Sequence, residues 1–344
     1  MTGMTYTTLG QSGLVVSRLA LGTMTFTLGS EFIPGVAAVG QDEAAEMVAG
    51  ALGAGVNFFD SANGYSSGDA EKILGAALKG RRQEAVICTK LGFRQGPGIG
   101  NAGLSRGHIF DQVDGCLARL ETDFVDLLIL HKTDFTTPLE ETLRALDDVV
   151  KSGKVRYLGV SNWPAWQVAR AVQFQKDNGL APFVAGQYLY NAVARDIEVD
   201  VLPMSDAMGL GLMAWSPLAG GLLTGKYDLS DRAATTGRLA EFDFLETNMN
   251  QAAVALDAIQ SAAKAHDATP AQIAQAWILA KKRNHTVIIG ANKRSQLDAS
   301  LAAAAISLSE DEVAAIDAAA GPGRRYPEWF DNMMHDEVHK GALV

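Results

Sequence analysis

Cysteine is close to absent from this chain: two residues, Cys88 and Cys116, in a length of 344. A disulfide framework is therefore excluded as the basis of the fold. Each thiol lies in an apolar strand-like or helical run, where burial in a reducing compartment is the expectation. No cysteine or histidine spacing suggests a metal site, and His266, His285, His335 and His339 form no ligand set. Basic charge is also short, with 29 Lys and Arg against 39 Asp and Glu and a net charge of −10. The deficit is spread along the chain. It argues against nucleic acid and anionic membranes as partners, because both attract basic surfaces. No apolar run approaches ~20 residues, so no membrane-spanning helix is expected. Met1-Thr2-Gly3-Met4-Thr5 has neither the basic nor the apolar stretch of a secretory signal, and a cytoplasmic protein is expected.

What the chain does hold is alternation. Short β-branched runs at 19–21, 56–60, 85–90, 125–131, 155–161, 184–188, 211–215 and 286–289 read as strands. Amphipathic stretches at 42–54, 70–78, 105–120, 138–151, 164–178, 200–208, 249–266 and 294–305 read as helices between them. Eight strand-helix units predict a parallel sheet closed into a (β/α)8 TIM barrel, in an α/β chain. Barrels of this length are often one domain, and the absence of a low-complexity linker fits a single domain over 1–344.

Local signals agree. Pro138 with Glu140 and Glu141 predicts a helix start with Pro at the first helical position. Gly153 after Lys151-Ser152 predicts its stop. Ser309 and Glu312 form a capping-box pattern that opens a further helix at 310–320, with a tail to 344. Gly10-Gln11-Ser12-Gly13 between Tyr6-Thr7-Thr8-Leu9 and Leu14-Val15-Val16 predicts a hairpin over about 5–17, placed to plug the barrel bottom. A second helix at 270–282 precedes the last strand.

Four reactive side chains stand at or just beyond three successive strand ends: Asp60, Tyr65, Lys90 and His131. In a closed parallel barrel such ends open onto one face. The set suits carbonyl reduction. A phenol, with an ordinary pKa of ~10, donates a proton to the carbonyl oxygen. An ammonium beside it lowers that pKa, a carboxylate keeps the ammonium charged, and a neutral imidazole polarises the carbonyl. Tyr65, Lys90, Asp60 and His131 fit those roles in turn. Taken singly, each has a plainer reading: a strand-end ion pair for Lys90 or Asp60, a satisfied core histidine for His131, a surface loop tyrosine for Tyr65. Gly98-Ile99-Gly100-Asn101-Ala102-Gly103 matches a dinucleotide fingerprint but lacks the strand-turn-helix context, and reads as a loop at the barrel mouth. None of the seven tyrosines has the Tyr-x-x-x-Lys spacing of a short-chain dehydrogenase.

The motifs together resemble the aldo-keto reductase family. They are Phe59-Asp60-Ser61-Ala62-Asn63-Gly64-Tyr65 with Glu71-Lys72-Ile73-Leu74-Gly75, Thr89-Lys90, Leu130-His131, Gly153 through Asn162, Trp215 through Tyr227, and Val287-Ile288-Ile289-Gly290. The resemblance implies an NADP(H)-dependent oxidoreductase acting on aldehydes, ketones or the matching alcohols. It implies Tyr65 as general acid, tuned by Lys90 and Asp60, and His131 as the carbonyl orienter. It implies a nicotinamide site from Gly22, Thr23, Met24, Asp60, Ser161, Asn162 and Gln187, with Trp215 stacking. A pyrophosphate loop follows from Ser216, Pro217, Leu218, Gly220, Gly221, Thr224 and Lys226. An adenosine segment follows from Ile289, Gly290, Asn292, Lys293, Arg294, Gln296 and Ser300. Lys293 and Arg294 favour NADPH over NADH, since a ribose phosphate suits cations at a helix start. Asn292 and Ala299-Ser300 depart from the Arg and acidic-Asn residues common in relatives, which leaves the adenine contacts open. Loop position suggests Phe26, Phe32, Phe93, Trp163, Tyr326 and Trp329 around the substrate, favouring an apolar or ring-bearing carbonyl. Some relatives sit beneath ion channels, so a cofactor-sensing binding subunit of a membrane partner is the alternative. No metal is expected, and the sequence does not fix the oligomeric state.

Overall fold

The computed structural model describes residues 3–29, 39–229, 248–282, 284–323 and 330. Strands β1 (Tyr6–Thr8) and β2 (Val15–Ser17) pair antiparallel as the expected hairpin. Eight parallel strands then close a barrel. They are β3 (Leu19–Gly22), β4 (Phe58–Asp60), β5 (Val86–Leu91), β6 (Val125–Leu130), β7 (Val155–Ser161), β8 (Phe183–Leu189), β9 (Gly211–Trp215) and β10 (His285–Gly290). Each runs beside its sequence neighbour, and β10 returns to pair with β3.

Around the barrel lie α1 (Gln41–Gly53), α2 (Asp69–Ala77), α3 (Arg106–Leu120), α4 (Leu139–Lys151), α5 (Ala165–Asp177) and α6 (Val201–Met208). Then come α7 (Met249–Ala265), α8 (Pro270–Lys281), α9 (Arg294–Leu301) and α10 (Glu310–Ala319). The predicted caps hold at Gly153, in the left-handed region at φ 80°, and at Ser309, whose capping box with Glu312 is complete. Pro138 differs from expectation. Its ψ of 132° keeps it outside the helix as the N-cap of α4. Its carbonyl still accepts from Glu141 and Thr142, so the helix starts one residue later.

The strands are buried on both faces, which is why they read as near-continuous apolar runs. Two-residue periodicity sorts them into two cores. Leu21, Phe59, Ile87, Leu128, Leu130, Leu158 and Ile289 face the helices. Ala20, Phe58, Cys88, Leu127, Ile129, Ala185, Met213 and Ile288 fill the lumen. Leu9, Leu14 and Val16 of the hairpin join the lumen cluster from below, so the hairpin plugs the bottom as expected. Gly10 makes this fit possible. Its φ is 59°, and a Cβ there would lie 2.4 Å from the Val184 carbonyl oxygen.

One further step along each lumen-facing register reaches the opposite, C-terminal rim. Ala20 leads to Gly22, Phe58 to Asp60, Cys88 to Lys90 and Ile129 to His131. Gly159 leads to Ser161, Ala185 to Gln187, Met213 to Trp215 and Ile288 to Gly290. The rim is therefore a ring of eight residues, one per strand. Six carry polar or aromatic side chains, and the two glycines stand side by side on β3 and β10.

Candidate active site

Lys90, on β5, is the hub of hydrogen bonding on the rim. Its side chain is fully buried, and its ammonium donates to Asp60 Oδ2 at 2.7 Å, the Ser61 carbonyl at 2.8 Å and the Tyr65 hydroxyl at 3.0 Å. All three ammonium protons are thereby used. Burial opposes the charge on Lys90, but Asp60, followed by Tyr65 and Cys88, outweighs it and holds the group protonated above its ordinary range. The strand-end ion pair is real and part of the same cluster as the phenol.

Tyr65 reaches Lys90 from a tight turn between β4 and α2. Ser66 and Ser67 hold left-handed backbone at φ 46° and 55°, and Gly68 follows at φ 93°. Two non-glycine residues in that region store strain, which the buried surroundings must enforce. Gly64-Tyr65-Ser66-Ser67-Gly68 also fits the Gly-x-Ser-x-Gly pattern of serine hydrolases. The Ser66 hydroxyl, however, is buried with no hydrogen-bond partner, so no base activates it. Burial pushes the Tyr65 phenol above its ordinary range, and Lys90 is the strongest influence pulling it back. The net direction corrects the sequence expectation of a lowered pKa: desolvation outweighs the ammonium, and the phenol keeps its proton at neutral pH.

The His131 ring stands 5.8 Å from the Tyr65 ring, edge to face. Burial, helped by Lys90, drives its pKa well below the ordinary histidine value, so the imidazole is neutral. Its Nδ1 is buried without a partner. The Phe93 ring packs against it at 4.4 Å and is partly exposed, forming one wall of the mouth.

Beyond His131 the rim is tied together by amides. Gln187 donates to Asp60 Oδ1 at 2.8 Å, and Ser161 donates to the Gln187 backbone carbonyl at 2.9 Å. Asn162, at φ 58°, donates to Ser161 Oγ and the His131 carbonyl, and accepts from the Trp215 indole at 3.2 Å. Thr23 donates to the Asp60 carbonyl, and Met24 follows it half-buried. The loop after Trp215 folds on itself. Ser216 Oγ accepts from Gly220 N, Thr224 donates to the Gly221 carbonyl, and Gly220 and Gly221 hold φ of 67° and 103°. Pro217 is buried, Leu218 half-buried and Lys226 exposed.

The outer assignments fare unevenly. Asn292 N donates to Gln296 Oε1, and Lys293 is exposed at the start of α9. Arg294 instead pairs with Asp298 at 2.8 Å and lies over Gly50 of α1, where a Cβ would meet its guanidinium at 2.5 Å. Ile289 faces the helices, so only its backbone reaches the rim. Ser300 is buried and takes a hydrogen bond from Gln275 in the α8–α9 packing. Phe26 and Trp163 are corrected. Both are fully or almost fully buried, Trp163 against Phe183 and Phe26 within the loop after β3, bridged to Val39, because large aromatic rings next to a core are drawn into it. Phe32, Tyr326 and Trp329 lie outside the described residues. The Gly98–Gly103 segment is a loop beyond β5, exposed at 98–100 and half-buried at 101–103, with Arg94 donating to the Gly98 carbonyl. Among the described residues no group of His, Cys, Asp or Glu is placed to hold a metal ion.

This geometry meets its comparison in known sequences. The aldo/keto reductase family model matches residues 18–320. The chain belongs to the aldo/keto reductase family. It is 37% identical over 305 residues to a probable voltage-gated potassium channel subunit beta of Oryza sativa subsp. japonica, covering 86% of this chain and 89% of that one. It is 35% identical over 340 residues to the uncharacterized oxidoreductase YrpG of Bacillus subtilis, covering 95% and 99%. It is 32% identical over 332 residues to a putative aryl-alcohol dehydrogenase of Schizosaccharomyces pombe, covering 90% and 93%. As an aldo/keto reductase the chain is an oxidoreductase of carbonyl compounds.

Three features of this aldo/keto reductase site escaped sequence reasoning. The Gln187–Asp60 bond joins strands far apart in sequence, and no local pattern announces it. The Ser61 carbonyl as third acceptor for Lys90 is a backbone contact without a residue signature. Glu71 and Thr89 form a buried pair behind the site. Glu71 did carry a signal, a carboxylate within an otherwise small and apolar helix face.

Proposed function

We propose that the protein reduces aldehydes or ketones to alcohols with NADPH, reversibly, with Tyr65 as the proton donor. The observation that carries this reading is the Asp60–Lys90–Tyr65 chain of short hydrogen bonds beside a neutral His131. Two features of the rim support a nicotinamide fit. Gly22 and Gly290 leave one side of the ring without side chains, and a Cβ at Gly290 would meet nothing within 4 Å. Next to them round the rim, on β9, β8 and the end of β7, Trp215, Gln187, Ser161 and Asn162 supply a flat ring and amide or hydroxyl groups suited to a carboxamide. Lys293, with Lys226 in the glycine loop, would meet the phosphates. Arg294, half-exposed and paired with Asp298 at the surface, would exchange that weak ion pair for a ribose phosphate.

The nicotinamide, when bound, supplies a hydride to the carbonyl carbon. The chain's residues manage the oxygen. His131, neutral, orients the carbonyl through a hydrogen bond. Tyr65 gives its hydroxyl proton to the oxygen as negative charge grows there. Lys90 stabilises the phenolate left behind, and Asp60 with the Ser61 carbonyl holds the ammonium in place. Phe93 gives the mouth an apolar wall, which favours ring-bearing or apolar carbonyls.

A panel of aldehydes, ketones and secondary alcohols assayed with NADPH, NADH and their oxidised forms tests this reading. Turnover of at least one carbonyl class with NADPH is expected. No turnover, together with no quenching of the five tryptophans by NADPH, would overturn it. A second reading, a cofactor-sensing subunit of a membrane partner, is favoured by the similarity to probable channel beta subunits. NADPH quenching without turnover, and co-purification with a membrane protein, would select it. Among the described residues no helix is long and apolar enough to cross a membrane.

A further inference from the structure

Behind the catalytic rim, on the outer face of the barrel wall, lies a polar cluster that the reaction does not touch. Thr89 precedes Lys90 on β5 and, by strand alternation, points among the helices beside Ile87 and Leu91. It is fully buried there, a hydroxyl in an apolar layer. It donates to Glu71 Oε1 of α2 at 2.5 Å. Glu71 is itself fully buried, and its second oxygen accepts from Arg119 Nε of α3 at 2.6 Å. Arg119 in turn covers Gly68, the last residue of the strained Tyr65 turn. A Cβ on Gly68 would lie 2.6 Å from Arg119 Cδ. Arg119 also donates to Cys116 Sγ at 3.6 Å.

One carboxylate thus links a side chain of the strand that carries Lys90 to the arginine packed over the turn that carries Tyr65. Through Thr89 it holds the strand position next to Lys90. Through Arg119 it holds the turn that presents Tyr65. A buried carboxylate inside an apolar layer is costly and must be satisfied on both oxygens, as this one is. Burial alone would be better served by an apolar residue.

We propose that Glu71 is a positioning residue for the Tyr65–Lys90 hydrogen bond, acting through Thr89 on the strand side and Arg119 on the turn side. The inference rests on the proposed reduction chemistry for its kinetic readout only. Lys90 is the strongest group holding the Tyr65 phenol down against burial, while Asp60 and Cys88 push it up. Loosening the strand side lets the phenol titrate higher.

The test uses the full-length protein with Thr89→Val, which changes no formal charge, and Thr89→Ser, which restores the hydroxyl. Glu71→Gln is a third variant. Thr89→Val and Glu71→Gln should lower kcat for a carbonyl by about 10- to 100-fold, as expected for misplacement of about an ångström. The KM for carbonyl and tryptophan quenching by NADPH should stay near wild type, and Thr89→Ser should recover most of the rate. Ring-labelled tyrosine followed by NMR, with Tyr65→Phe to assign the signal, should show a higher Tyr65 midpoint in Thr89→Val than in wild type. An altered melting temperature with unchanged kcat and unchanged Tyr65 midpoint in Thr89→Val would overturn the proposal. If the wild type reduces no carbonyl, the proposed function fails and the Tyr65 titration alone decides: an unshifted midpoint overturns the inference, a raised one supports it.

Discussion

The side-chain amide of Gln187, on β8, donates to Asp60 Oδ1, on β4, at 2.8 Å across the mouth of the barrel. This bond connects the residues suited to a nicotinamide carboxamide with the carboxylate that keeps Lys90 charged. The two halves of the site are therefore one hydrogen-bonded unit. Replacing Gln187 by Leu removes a buried donor and leaves Asp60 Oδ1 short of a partner, a loss of about 1–3 kcal/mol. Both NADPH affinity, read by tryptophan quenching, and kcat should fall. A variant that lost affinity alone would confine Gln187 to cofactor binding.

Asp60 bears the larger electrostatic load. The Lys90 side chain is 0% exposed and that of Asp60 3% exposed. Asp60→Asn leaves a buried ammonium without its counter-charge, which costs about 3–5 kcal/mol. Urea unfolding at pH 7 should show that loss. Adding Lys90→Met, which removes the stranded charge, should recover most of it. A single variant within 1 kcal/mol of wild type, on the order of a surface ion pair, would mean that water reaches Lys90.

His285 sets part of the acid limit of the fold. Burial, helped by Lys282 and Arg18, lowers its pKa to about 4. In the unfolded chain a histidine titrates near ~6.5. Between those values the unfolded chain binds more protons, so stability rises with pH across that window and falls as pH drops from about 6.5 toward 4. The loss is up to about 3 kcal/mol, and it is complete once both states are protonated. His285→Gln should flatten this limb when unfolding free energies at pH 4.5 and pH 7 are compared. An unchanged slope would place the acid sensitivity elsewhere.

Most of this was legible in the chain because the barrel imposes a simple rule. Alternation along eight strands assigns one lumen-facing residue to each C-terminal end, and all eight rim residues, from Gly22 to Gly290, were candidates from sequence. Asp60, Lys90 and His131 follow directly from that parity. Tyr65 does not, since it sits on a turn whose left-handed serines carry no propensity signal for such geometry. Phe26 and Trp163 misled because loop position says nothing about whether a ring turns outward or into the neighbouring core. The Gln275–Ser300 bond was likewise illegible, because it joins two helices far apart in sequence. The direction of the Tyr65 shift needed the fold as well, because proximity to Lys90 could be inferred while burial of the phenol could not.

The most direct measurement is the rate of carbonyl reduction by Tyr65→Phe, with NADPH affinity determined on the same protein. That substitution removes the hydroxyl and keeps the ring against His131. Turnover should fall by about 10²- to 10⁴-fold, the usual worth of a positioned general acid. Tryptophan quenching by NADPH should stay near the wild-type value. In the wild type, reduction should hold steady across neutral pH and decline only on the alkaline side, where the raised phenol at last loses its proton. A phenylalanine variant that reduces carbonyls at the wild-type rate would contradict the account.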